Sequence, residues 1–242
     1  MRAPSQAELL GIWERGEGQW PWRRALALLA GVAPGAADDE LSSMPIGRRD
    51  AALIDLREQL FGSAFSGVTT CPACEQEIEL TFDASEVRRA SCDGAGPFTI
   101  RAGACEVTFR LPASADLMQL DGASSVDAAR AALLARCVTS TLRDGAAIAV
   151  ADLPADAADA VAARMSEIDP QADVSFDVSC PSCTHAWIEP FDIVTFLWTE
   201  LAAWARGLLL DVHQLASAYA WSEEDILALS PVRRNAYLEM LQ

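Results

Sequence analysis

The 242-residue chain has no lysine. Its 18 basic residues are all arginine, set against 35 aspartates and glutamates, for a formal net charge of −17. It has two histidines, His185 and His213. Each shortage removes a class of chemistry. A phosphate-cradling P-loop needs its lysine, and so do a pyridoxal-phosphate Schiff base and a protein-kinase site. Multi-histidine metal sites are out of reach, and a catalytic triad has only two imidazoles to draw on. No nucleophile-elbow sequence and no dinucleotide-binding glycine pattern occurs. The acidity opposes a sequence-independent grip on nucleic-acid phosphates. What remains points to a binding or assembly protein without enzymatic activity, and no catalytic residue is assigned.

The hydrophobic fraction of 51% is ample for a core. Met1-Arg2-Ala3-Pro4 is followed by polar residues, so no signal-peptide pattern is expected. The most apolar stretch, Ile193 to Val212, is about as long as a membrane span. It carries Glu200, Arg206 and Asp211, each costing roughly 2.5–3.5 kcal/mol at mid-bilayer. A buried helix and a cytoplasmic protein without membrane contact are therefore expected.

Residues 7–33 show helical spacing, restarted at Pro21, a residue suited to a first helical turn. Ala36 to Ser43 is expected as an acidic loop. Leu53, Leu56 and Leu60 then share one face of a short amphipathic helix ended by Gly62. Next the period changes to two, with apolar residues alternating at Ile78-Leu80-Phe82, Cys105-Val107-Phe109-Leu111 and Val174-Phe176-Val178. Ala102-Gly103-Ala104 is expected as a tight turn joining two strands. The alanine-rich residues 125–143 and 154–167 are predicted helical, as is the C-terminal quarter, where Ser222 and Ser230-Pro231 mark helix starts. The fold class is α+β: helical N- and C-terminal regions around a small, mostly antiparallel sheet. The expected regions are 1–70, 71–192 and 193–242, forming one compact unit.

An internal echo is the strongest feature. Cys71-Pro72-Ala73-Cys74 is followed by Phe82-Asp83, and Cys180-Pro181-Ser182-Cys183 by Phe191-Asp192, at the same offset. Ile78 and Trp187 also occupy matching positions. Each Cys-Pro-x-Cys can turn both sulfurs to one side, and two such turns supply the four thiolates of a closed tetrahedral zinc site, with Zn–S distances of about 2.3 Å. Cys71, Cys74, Cys180 and Cys183 are therefore the candidate ligands of one structural Zn2+. About 105 residues separate Cys74 from Cys180. Loop closure grows only slowly with length, and structural zinc contributes roughly 10–16 kcal/mol in peptide models, so such a clamp is energetically reasonable. It is expected to pin two distant halves of one sheet, giving a split zinc-ribbon-like site.

Three alternatives stand beside zinc: disulfides, disfavoured without a secretion signal; a redox Cys-x-x-Cys, which needs no second copy; and free thiols. Four thiolates leave no open position for a catalytic water. His185, two residues past Cys183, is a possible substitute ligand but fits better as a solvent-facing tip residue. Cys92, Cys105 and Cys137 fit as small apolar residues, the last two on buried faces.

Glu14, Glu17, Asp38, Asp39, Glu40 and the Asp156–Asp159 region are expected on solvated faces. The doublets Arg23-Arg24, Arg48-Arg49, Arg88-Arg89 and Arg233-Arg234 either pair with carboxylates or serve a partner surface. The helix near 193–217 has two apolar stripes and needs packing around it. Trp198, Trp204 and Trp221 are large anchors, with core packing the default.

Met44-Pro45-Ile46-Gly47-Arg48-Arg49-Asp50 through Leu60-Phe61-Gly62 is the first segment of a wider pattern. The two knuckles and the tail continue it, with Leu197-Trp198-Thr199-Glu200, Asp211-Val212-His213-Gln214-Leu215-Ala216, Tyr219-Ala220-Trp221-Ser222-Glu223-Glu224-Asp225-Ile226, Arg233-Arg234 and Tyr237-Leu238. Together they resemble the T-even-phage-type baseplate hub assembly chaperones, which also occur in bacterial gene clusters for phage tail-like contractile injection systems. The resemblance covers about residues 8–241 and is least distinctive over 84–170. It implies a non-enzymatic assembly role with baseplate hub, spike or wedge proteins as partners. It assigns no partner-binding residue. A zinc-ribbon nucleic-acid-binding regulator is the alternative function, and a thiol oxidoreductase a third. One departure stands out: Ala220 lies before Trp221 where glycine is expected.

Overall fold

The computed structural model describes residues 4–33, 35–90, 94, 96–120 and 122–241. In chain order come α1 (Gln6–Gly16), α2 (Pro21–Val32), α3 (Asp38–Ser43), α4 (Ile46–Phe61), β1 (Ala64–Thr70), β2 (Glu77–Asp83), α5 (Ala84–Val87), β3 (Phe98–Ala102), β4 (Cys105–Phe109), α6 (Ser114–Leu117) and α7 (Val126–Cys137). Then follow β5 (Val138–Arg143), β6 (Ala146–Ala147), α8 (Ala155–Ile168), β7 (Ser175–Ser179), β8 (Ala186–Pro190), α9 (Ile193–Tyr219), α10 (Glu223–Leu227) and α11 (Pro231–Glu239). The mixed α+β class is as expected. The chain divides into two compact units, residues 1–34 with 194–242, and residues 35–193.

The first unit is helical. Ser5 and Glu8 close a reciprocal capping box at the start of α1, and Pro21 opens α2. On α9 both expected apolar stripes turn inward: Val194, Leu197, Trp198, Leu201, Ala205, Leu208, Val212 and Leu215 are buried, while Thr195, Thr199, Ala203, Arg206 and Leu210 face outward. The helix thus packs along one side and is not surrounded. Trp198 fixes the approach of α1, because a Cβ on Gly16 would lie 2.1 Å from its ring. The Arg24 guanidinium stacks 4.8 Å from the Trp198 ring, and its Nε donates to the Gly16 carbonyl. Further along, Tyr219 and Trp221 stack at 4.8 Å and Tyr237 meets Trp221 edge-on. The buried Arg234 donates to Asp211 (3.0 Å) and Gln6 (2.5 Å). Of the arginine doublets, Arg24 and Arg234 are therefore structural.

Among the described residues, the second unit holds three antiparallel sheets, where one was expected. In the four-stranded sheet β3-β4-β5-β6, strand β4 alternates as its sequence requires. Cys105, Val107 and Phe109 point into a core shared with Val138 and, on α8, Ala157 and Val161. Gly103, at φ 59°, makes the β3–β4 turn. The other two sheets, β1-β2 and β7-β8, are separate two-stranded hairpins. The helix expected over 125–143 stops at Cys137, since the chain from Val138, rich in β-branched Val138, Thr139 and Thr141, pairs with β4. The acidic loop expected at 36–43 contains the short α3, whose first turn carries Asp38, Asp39 and Glu40, a favourable place for negative charge. Cys92 lies outside the described residues.

The start of α4 is pinned by a close approach. The Gly47 N–H donates to Asp169 Oδ2 at 2.9 Å, and a Cβ there would sit 1.9 Å from Asp169 Oδ1. Next to it, the buried Arg49 binds Asp50 at 2.7 Å and donates to the Ser114 hydroxyl. Burial raises the Asp50 carboxyl to about 6 against the lowering pull of Arg49, with Asp192 and Asp169 adding to the rise.

Two expectations follow. Ala220 follows α9 with φ 55°, a left-handed backbone that an alanine side chain disfavours. Ala220→Gly should raise stability by up to about 1 kcal/mol in a denaturant titration, strain relief being partly offset by glycine's unfolded-state entropy. At Asp50 the folded pKa exceeds the unfolded one, so the native state keeps a proton that the unfolded chain loses between about pH 4 and 6. Stability should then fall as pH rises through that window, by at most about 3 kcal/mol. Unfolding midpoints of Asp50→Asn measured across it should show a flatter profile.

Candidate metal centre

Each knuckle is the tip of a hairpin, and the two tips have the same backbone. In the first, the Cys71 N–H donates to the Gln76 carbonyl at 2.9 Å and the Glu75 N–H to the Cys71 carbonyl at 2.9 Å. In the second, the Cys180 N–H donates to His185 at 2.8 Å and the Thr184 N–H to Cys180 at 2.9 Å. Glu75 and Thr184, one residue past each second cysteine, both turn left-handed, at φ 60° and 62°. This shared turn carries both sulfurs of each pair to one side.

The turns converge. Cys71 Sγ lies 3.7 Å from Cys183 Sγ, Cys74 Sγ lies 3.6 Å from Cys180 Sγ, and all four sulfurs fall within 4.8 Å of one another. A regular tetrahedron around an ion at about 2.3 Å has sulfur–sulfur edges of about 3.8 Å, whereas a disulfide requires about 2.05 Å. The cysteines form no disulfide, and Cys71 and Cys180 are buried while Cys74 and Cys183 are exposed. All four predicted ligands are thus together, close enough to bind a metal ion. His185 is exposed and stacks on Trp187 at 6.0 Å, outside the sulfur cluster.

The thiols are electrostatically unequal. Backbone N–H groups of Cys183 and Ser182 donate to Cys180 and, with the Cys74 and Cys183 thiols, pull it down to about 6 despite burial. The Gln76 N–H lowers Cys74, but the Cys183 thiol, burial and the remaining cysteines more than reverse that, to about 12. Crowded sulfurs share protons because adjacent thiolates repel. A divalent cation removes that constraint.

Behind the tips, the inner faces of the hairpins meet through four phenylalanines. Phe65 stacks on Phe82 (5.1 Å), Phe82 meets Phe176 (4.7 Å), and Phe191 stands edge-on to Phe65 and Phe82. The Arg57 guanidinium of α4 lies 3.8 Å over the Phe65 ring. Between rings and sulfurs, Glu189 Oε2 accepts from the Thr69 hydroxyl of the other hairpin and from Trp187 Nε1, both at 2.8 Å. The Phe-Asp echo signalled Phe82 and Phe191. Nothing local signalled Thr69 or Glu189, since their pairing spans 120 positions.

The remaining sequence candidates lie elsewhere. Glu14, Glu17, Asp38, Asp39, Glu40, Asp156 and Asp159 are exposed and solvated as expected. Cys105, on β4, and Cys137, the last residue of α7, are buried, and burial pushes the Cys137 thiol up to about 11.

Fold and site together define a class, an α+β protein whose four-thiol centre is divided between two distant hairpins. A family model described as T4 bacteriophage base plate protein matches residues 28–198, well over half of the chain, and the chain belongs to that family. Both knuckles and every strand named above lie inside the matched residues. No curated protein and no solved structure matches the chain.

Proposed function

We propose that this protein is a non-enzymatic assembly factor or structural component of the baseplate or hub of a contractile phage tail or phage tail-like injection system. Its four knuckle cysteines, Cys71, Cys74, Cys180 and Cys183, hold one structural Zn2+. Membership of the baseplate family carries the first statement, and the near-tetrahedral spacing of the sulfurs supports the second. The ion ties two hairpins together and, with four protein ligands, has no place for a catalytic water. The partners are baseplate hub, spike or wedge proteins, and the protein acts in the cytoplasm before or during incorporation into a tail-like particle. The chaperone role implied by the sequence resemblance is holding a hub or spike component until it is placed. Nucleic-acid binding is opposed by the net charge of −17.

Co-expression with each hub, spike and wedge protein encoded nearby should yield a stable complex with at least one. A monomer that ignores them all refutes the role. Elemental analysis of protein purified without chelator should give one zinc per chain. Cobalt substitution should give the visible spectrum of tetrahedral thiolate cobalt. Cys71→Ser should lose the metal and destabilise residues 64–83 and 175–190 together, seen as faster amide exchange in both hairpins. Iron in place of zinc, or no metal at all, overturns the assignment.

A further inference from the structure

Helix α7 is anomalous for its burial. Over twelve residues it buries only Cys137, at its last position. A helix of this length ordinarily depends on packing a face against its surroundings. On α7, Ala131, Leu134 and Ala135, with Asp127 and Arg130, fall at i, i+3, i+4, i+7 and i+8 and form one wall of an open groove. The other wall is α8, at Ala155, Ala158 and Asp159, and the segment between contributes Val150 and Leu153. The cavity measures about 370 Å³. Leu134, Val150 and Leu153 sit half-buried on its floor, supported from below by the core of the four-stranded sheet. Arg130 and Asp159 pair across the groove at 2.6 Å, both largely exposed.

We infer that this groove docks an amphipathic helix of a baseplate partner, with its apolar face down and basic residues at its flanks. The inference rests on the baseplate role proposed above. Alanines on both walls let a third helix approach closely, at the 8–10 Å typical of packed helices. The choice of occupant comes from charge. Asp127 and Asp159 line the groove and the exposed Asp152 and Asp156 lie beside it, against the single Arg130. A second copy of a chain with net charge −17 brings more negative charge to that rim, so self-docking is disfavoured. Lysines or arginines flanking the partner's apolar stripe complement it. They also draw Asp159 away from Arg130, whose exposed ion pair is weak.

The test uses the full-length protein and the baseplate protein it co-purifies with. Ala131→Arg and Ala135→Arg place bulk and positive charge in the groove, and Ala132→Arg places the same change on α7 outside it. All three positions are exposed, and arginine is a good helix former, so the fold tolerates each change. Unchanged thermal unfolding verifies that. The two groove variants should weaken binding at least tenfold, with Ala132→Arg near wild type and the wild-type affinity falling as salt rises. Equal binding by all variants, or equal loss in all three, overturns the groove while leaving the baseplate role standing. If the wild-type chain binds none of the hub, spike and wedge proteins, the role fails and the groove with it.

Discussion

Four sulfur atoms carried by two hairpins more than a hundred residues apart meet within 4.8 Å. The two hairpins that carry them belong to the second unit. The sulfurs alone are a poor adhesive, because crowded thiols gain little from one another and thiolates repel. The phenylalanine cluster and the Glu189 latch already bring the hairpin faces together. An ion held at the tips would add charge neutralisation and fixed angles. The centre therefore has two layers, an apolar one that sets the approach and a sulfur one that sets the geometry.

Between the knuckles the chain leaves the hairpins, builds the four-stranded sheet with α7 and α8, and returns. The return is braced close to β7. Asp169 holds the start of α4 through Gly47, and the buried Gln171 donates to the Val87 carbonyl while accepting from the Arg89 N–H. Asp116 plays a similar part near β4. It is almost fully buried, bound by Arg110 in bidentate fashion and by Arg136, and it accepts from the Ala113 N–H. Its carboxyl is held below the usual range, because these partners outweigh the desolvation that opposes them. Arginine, always charged and able to form a fork, suits such pairings where lysine does not. The exclusive use of arginine thus has structural use in both units.

Much of this was legible in the sequence. The cysteine echo marked the four cysteines that come together, and alternation located β2, β4 and β7. Proline and serine starts located α2, α10 and α11. What was missed has physical reasons. β1 reads Ala-Phe-Ser-Gly-Val-Thr-Thr, with small residues where its inner face meets the opposite hairpin, so its alternation is weak. β8 was obscured for the same reason, since its inner face holds Glu189, a polar residue satisfied only by Thr69 far away. The alanine run of α7 carried a helical expectation into β5, although Val138 and Thr139 marked the change. That the strands form three sheets is set by pairing over long separations, to which periodicity is blind. The resemblance rested partly on the tail from Asp211 on, whereas the family match ends at residue 198.

The two short sulfur contacts have a further property. Exchanging Cys71 with Cys180 and Cys74 with Cys183 turns the 3.7 Å contact into the 3.6 Å one. The same exchange maps Glu75 onto Thr184, Ile78 onto Trp187 and Phe82 onto Phe191, which touches its own counterpart edge-on. The centre has the exchange symmetry of a homodimer inside a single polypeptide. The exchange stops at the latch, where Thr69 and Glu189 map onto Val178 and Leu80, so one apolar face and one polar contact close a centre whose sulfur turns are alike.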